Sequence, residues 1–265
     1  MTSILDKIFA AKRDELKEQR RLVSDVAIVA RAKDAPPPRD FVAALSAKRP
    51  AIIAEIKRAS PSKGDILPNL DPATVARQYQ ECGAAAISVL TDRHFKGTLD
   101  DLRAVHEAVE LPLLRKDFMF HPYQIYEARA AGADCILLIV AMLKEGELRS
   151  LAALAREVKM AALVEVHNPE EFALAEQLGA ELIGINNRDL HTFVTDLAVT
   201  ERLLANYGGE ALIVGESGIS TPEDIRRLDA AGARAFLIGE SLLRDGNPAA
   251  KLPELMNSLA GATGR

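Results

Sequence analysis

Short apolar, β-branched runs alternating with helix-period segments predict an α/β fold: a (β/α)8 TIM barrel with an N-terminal helical extension. The runs are "AIIAEIK", "AAISVL", "PLLRKD", "DCILLIV", "AALVEV", "ELIGINN", "ALIVGES" and "ARAFLIG". Near-continuous apolar strands belong to a parallel sheet covered by helices. Four helical segments end in Gly-Ala directly before a strand, at Gly83, Gly132, Gly179 and Gly232. Glycine suits the left-handed residue that stops a helix. A doubly wound open sheet is the competing topology. It usually opens on a glycine-rich first turn, and "KRASPSKG" is not one.

The elements follow in chain order. "MTSILDKIFAAKRDELKEQRRL" places Ile4, Leu5, Ile8 and Phe9 at helical spacing after a capping pair of Ser3 and Asp6. It predicts an amphipathic helix that docks on the body and helps cover a barrel end. Removing the residues before Pro36 should therefore impair stability or substrate binding. "DAPPPRD" (Asp34 to Asp40) separates these helices from the barrel. The whole chain, 1–265, reads as one domain, of which 1–48 is the extension. In the first strand Glu55 and Lys57 share a face, since alternate side chains point the same way. An edge strand with a solvated ion pair explains them as well as a functional site does. "PATVARQYQECG" and "PYQIYEARAAGA" are examples of the helices that follow the strands.

Composition narrows the function classes. Of 265 residues, 48% are hydrophobic and 27% charged, and the net charge is −5 without a basic block. Nucleic acid is thus not indicated as a partner. No apolar run is long enough to span a membrane, and the N-terminus lacks the continuous apolar core of a signal peptide. Cys82 and Cys135 form no metal or redox spacing and read as small apolar groups, so a reducing cytoplasm is the expected location. His94, His106, His121, His167 and His191 show no ligand spacing either. His167 and His191 lie where they can face a barrel mouth, although loop histidines are more often at the surface.

Barrel active sites lie at the C-terminal ends of the strands. Read to their ends, the strands deliver Glu55 and Lys57, then Lys116, Glu165, Asn186 with Arg188, and Glu216 with Ser217. One such charge means little, but five strand ends carrying them point to a site. Phe95, Phe118 and Leu137 stand at strand ends two, three and four as ordinary barrel packing, or as an apolar pocket if a resemblance to a known family implies an aromatic substrate. "GESGIST" and "LIGESLL" put glycines after strands seven and eight, where backbone N–H groups at Gly218, Gly239 and Glu240 can ring a phosphate.

"AEIKRASPSKG", "LLRKDF", "VEVH", "INNRDL" and "GESGI" resemble, in order and over essentially the whole chain, the motifs of the indole-3-glycerol phosphate synthase family. The resemblance implies ring-closing decarboxylation and dehydration of 1-(2-carboxyphenylamino)-1-deoxyribulose 5-phosphate in tryptophan biosynthesis. It implies a small phosphorylated substrate and no metal or organic cofactor, and the chain is expected to be a monomer, with a dimer as the alternative. Carried over residue by residue, it makes Lys116 the general acid of ring closure and Glu165 the general base. Lys57 binds substrate and shares the acid–base steps, while Glu55, Asn186 and Glu216 orient and stabilise the reacting centre. Ser60 and Arg188 become substrate contacts, and Ser217, Gly218, Gly239 and Glu240 the phosphate site. The family often carries serine where Glu240 stands, so this side chain is expected to turn away from the phosphate. The "SPSKG" loop is expected to close over ligand, bringing Lys63 near it. Other phosphate-binding barrels remain as rivals: a Schiff-base aldolase using Lys57 or Lys116, a phosphoribosyl-anthranilate isomerase, or a barrel that binds without catalysis.

Overall fold

The computed structural model describes residues 4–60, 64–190, 192–244 and 246–260. Eight parallel strands close into a barrel: β1 (Ala51–Ile56), β2 (Ala86–Leu90), β3 (Leu113–Lys116), β4 (Cys135–Ile139), β5 (Ala161–Val166), β6 (Leu182–Asn186), β7 (Leu212–Glu216) and β8 (Ala235–Ile238). β8 returns to pair with β1, and β1 also pairs with β2. A closed barrel has no edges, so the edge-strand explanation of Glu55 and Lys57 falls away.

Three helices precede the barrel: α1 (Ile4–Leu22), α2 (Asp25–Asp34) and α3 (Phe41–Ser46). The outer ring comprises α4 (Pro72–Glu81), α5 (Leu99–Ala108), α6 (Pro122–Ala130), α7 (Glu145–Glu157), α8 (Pro169–Gln177), α9 (Ala198–Leu204), α10 (Pro222–Ala231), α11 (Glu240–Leu243) and α12 (Pro248–Met256). The Gly-Ala stops work as expected: Gly83, Gly132, Gly179 and Gly232 all have positive φ, between 68° and 119°. At the other ends, the Asp71, Asn168 and Thr221 side chains cap α4, α8 and α10, each just before a proline.

Strand alternation sorts the core into two layers. On β1, Ile52, Ala54 and Ile56 pack outward against the helices, whereas Ala51 and Ile53 point into the barrel. The interior continues with Leu114, Cys135, Leu137, Leu163, Leu182 and Val214. Phe41 and Leu45 of α3, both 1% exposed, belong to this interior cluster. One end of the barrel is thus filled with apolar side chains, and polar groups converge at the other.

The helix α1 docks at the open end, as its apolar spacing predicts. Phe9 stacks near Phe120 with centroids 4.8 Å apart, and Leu16 joins Ile28 of α2 and Tyr123 of α6 in one cluster. The anchor that its sequence did not advertise is Lys12. Its ammonium lies 2.7 Å from Asp117, 3.2 Å from Asp92 and 2.8 Å from Glu15. Burial opposes this charge, but Asp117 and Asp92 outweigh it and raise the lysine pKa. Asp117 also takes hydrogen bonds from Arg115 and Thr91. It directly follows Lys116, so α1 is tied to the strand end that carries that residue. Lys12→Met should cost about 3 kcal/mol, because it takes the shared ammonium from the buried carboxylates of Asp92 and Asp117. A urea midpoint unchanged from wild type would refute that. The Ser3–Asp6 capping pair, residues 61–63 with Lys63, and His191 lie outside the residues and side chains described.

Candidate active site

A cavity of about 430 Å³ opens at the C-terminal ends of the strands. Alternation explains its lining. On β5, Val164 and Val166 pack outward, so Leu163 and Glu165 point inward. The same phase brings Glu55, Lys116, Asn186 and Glu216 to the mouth, with Lys57 two residues beyond Glu55. Asn187 points the other way, donating to the Glu216 and Ser217 carbonyls and accepting from Thr200. In "INNRDL" the first asparagine therefore lines the cavity and the second ties β6 to β7.

The other sequence candidates line the same cavity: Ser60, Phe95, Phe118, Leu137, Arg188, Ser217, Gly218, Gly239 and Glu240. Phe95 and Phe118 stand with ring centroids 6.4 Å apart on one wall. Ser217 and Gly218, with φ of 63° and 80°, turn the backbone sharply at the end of β7. Glu240 lies between two arginines, 3.6 Å from Arg188 and 3.1 Å from Arg244. Sequence reasoning missed Arg244, Ile8 from α1, and Leu190 and Phe193 in the loop after β6, all of which line the cavity. Two apolar residues within the otherwise polar "RDLHTF" were the available signal for that loop.

The electrostatic centre is Lys116. Its ammonium donates to Glu165 Oε2 and Glu216 Oε2, both at 2.7 Å. Burial alone lowers a lysine pKa, but here Glu165, Glu216 and Glu55 outweigh it and raise it. Lys57 pairs with Glu55 at 2.8 Å. Glu165 Oε1 accepts from Asn186 Nδ2 at 3.1 Å and lies 3.3 Å from His167 Nε2. Burial would push the Glu165 pKa up, but Lys116 and His167 pull it down. Glu216 goes the opposite way: burial raises it, and Glu165 and Glu55 repel its charge, against a single lysine. The surface reading of His167 is therefore corrected, since its side chain is 12% exposed and wedged between Glu165 and Glu171. Among the described residues no three His, Cys, Asp or Glu side chains are grouped to hold a metal ion.

Two glycines make room for the carboxylates. A Cβ at Gly184 would lie 2.1 Å from Glu216 Oε1, and one at Gly239 would lie 2.4 Å from Glu55 Oε1. Gly184→Ala should displace Glu216 from Lys116, lowering kcat by roughly 10-fold or more and stability by about 1–3 kcal/mol. Kinetics with a melting curve would check both, and wild-type values in each would show that the carboxylate has slack.

The barrel fold itself is widely shared. The chain superposes on 3-hexulose-6-phosphate synthase with a TM-score of 0.62, 16% identity, and coverage of 79% of this chain and 100% of the other. Thiamine phosphate pyrophosphorylase from Pyrococcus furiosus gives 0.61, 15%, and 81% and 98%. At such identities only the fold is shared. Sequence relatives are far more specific. Indole-3-glycerol phosphate synthase of Roseiflexus sp. (strain RS-1) is 49% identical over 265 residues, covering 96% of this chain and 98% of its own. The enzyme of the same name from Polaromonas naphthalenivorans (strain CJ2) is 47% identical over 263 residues, with 96% and 99% covered. The model of the family described as indole-3-glycerol phosphate synthase matches residues 5–255, and with its lysine set among carboxylates at the mouth of the barrel, the chain belongs to that family.

Proposed function

We propose that Lys116 and Glu165 are the acid and base with which this cavity closes an indole ring. The chain catalyses the indole-3-glycerol phosphate synthase reaction, a carboxy-lyase step of tryptophan biosynthesis on a small phosphorylated substrate. The observation that carries the residue assignment is the Lys116 ammonium held at 2.7 Å by both Glu165 and Glu216. A lysine kept charged this way donates protons; it is a poor amine nucleophile.

In 1-(2-carboxyphenylamino)-1-deoxyribulose 5-phosphate, the ring carbon bearing the carboxylate attacks the ketose carbonyl carbon. Lys116 protonates the carbonyl oxygen as the carbon–carbon bond forms. Loss of carbon dioxide restores the aromatic ring. Glu165 then removes a proton while the new hydroxyl leaves as water, the lysines of the site supplying its proton. Lys57 binds substrate and shares the acid–base steps, and Glu55, Asn186 and Glu216 orient the reacting centre. Phe95, Phe118 and Leu137 hold the anthranilate ring, with Ser60 and Arg188 as polar contacts. Ser217, Gly218, Gly239 and Glu240 receive the phosphate chiefly through backbone N–H groups, since the Glu240 carboxylate is occupied by Arg188 and Arg244.

On this reading residues 1–265 form one domain, with 1–48 as an extension, working as a monomer in the cytoplasm. The test is to incubate the protein with the substrate, without added metal, and follow indole fluorescence. Turnover is expected, and borohydride added with a ketose phosphate should trap nothing. Binding without turnover would favour a non-catalytic barrel, and a trapped lysine would favour an aldolase.

A further inference from the structure

Glu165 and Glu216 share Lys116 at equal distances, yet only one serves as base in the reading above. What distinguishes them is a side chain outside the cavity lining. His167 follows Glu165 by two residues and so leans to the same face. Its Nε2 lies 3.3 Å from Glu165 Oε1, and its Nδ1 lies 3.1 Å from Glu171 Oε2. Glu171 is itself fixed at the start of α8. It accepts from the His167 backbone N–H at 2.8 Å and from Asn168 Nδ2 at 2.7 Å, and its own N–H donates to Asn168. The imidazole is thus clamped between two carboxylates, one structural and one in the cavity.

We propose that His167 is a positioning residue that makes Glu165, rather than Glu216, the base of the site. This rests on the assignment of Glu165 as base. Both oxygens of Glu165 accept hydrogen bonds, Oε2 from Lys116 and Oε1 from Asn186, and His167 Nε2, which is buried without a hydrogen-bond partner, sets its charge 3.3 Å from Oε1. Among the described residues Glu216 has Lys116 alone as a cationic partner, and the other carboxylates repel it. The charged groups facing the imidazole are Glu165 from β5 and Glu171 from α8, with Lys116 across Glu165. Burial favours a neutral imidazole, but the two carboxylates outweigh it and push its pKa up to about 10. It is therefore a cation at neutral pH, offsetting the buried Glu165 charge. Because folding raises this pKa from 6.5, the stabilisation is whole below pH 6.5 and fades as pH climbs through about 10. Two carboxyl groups whose surroundings push their protonation apart take different chemical parts.

The experiment measures kcat and KM against pH for wild type, His167→Ala and His167→Gln, with Glu171→Gln as a fourth protein. Expected for His167→Ala is a kcat about 10-fold lower at neutral pH, KM within about twofold, and an acid limb of kcat raised by about one pH unit. His167→Gln, which fills much of the same space with a polar but uncharged side chain, should recover part of kcat but not the acid limb. Glu171→Gln should shift the limb in the same direction by less, and it reports even if His167→Ala fails to fold. A drop in activity that follows only the folded fraction, with the pH profile unchanged, would make His167 a packing residue and overturn the proposal. Glu165→Gln separates the two assumptions: if it turns over normally, Glu165 is not the base. If it is inactive while every His167 and Glu171 variant keeps the wild-type pH profile, only the role of His167 is lost.

Discussion

Lys116→Met is expected to lower turnover by about 10³-fold or more while leaving the barrel folded and substrate binding within a few-fold of wild type. General acid catalysis accounts for about 10²–10⁴ in rate, and among the described residues no other ammonium bridges Glu165 and Glu216. Removing a buried cation usually costs about 3–5 kcal/mol by stranding its partners. Here the loss is softened, because Glu216 is already inclined to hold a proton and can neutralise the pair by taking one. Lys116→Arg sharpens the test. It restores the positive charge, but a planar guanidinium does not reproduce the compact ammonium's placement between the two carboxylates. If charge alone mattered, arginine would rescue; the expected outcome is that it remains at least about 10²-fold impaired. Single-turnover indole fluorescence together with substrate titration distinguishes these results. Near-normal turnover in Lys116→Met would move the acid role to Lys57.

Glu165→Gln is the second large effect. Glutamine has the same shape and can still accept from Lys116 and stay beside Asn186, so geometry should survive. It cannot take up a proton, and kcat should fall by about 10²–10⁴ at every pH where wild type is active. Stability should fall by about 3 kcal/mol, since Lys116 and His167 each lose a buried counter-ion. Raising pH should not recover activity, because position 165 no longer carries a carboxylate to ionise. A variant that regained activity above neutral pH would implicate Glu216 as substitute base.

The barrel was legible because its signals are local. Alternation and the Gly-Ala stops are written in consecutive residues, and they place Glu55, Lys116, Glu165, Asn186 and Glu216 on inward positions of known strands. Features that depend on what a side chain meets across the fold were not legible. Lys12 looks like any solvated helix residue until Asp92 and Asp117 appear opposite it. His167 looks like a loop histidine until Glu171, four residues on, closes the other side. Asn186 and Asn187 are identical in type, and only the phase of β6 assigns one to the cavity and its neighbour to a strand tie. Leu190 and Phe193 were missed because apolar loop residues lack a period to read.

The two glycines beneath the carboxylates bear on how this site can diverge. Neither contributes an atom to chemistry, so a search guided by functional groups passes over both. Yet each occupies the space that a neighbour's charge requires, and any larger residue would reach that charge within bonding distance. A larger residue at 184 or 239 therefore comes only with displacement of Glu216 or Glu55. A descendant that moved either acid to another strand would free the glycine beneath it. Substitution there would then be a fossil of lost chemistry, marking the strand from which an acid had gone.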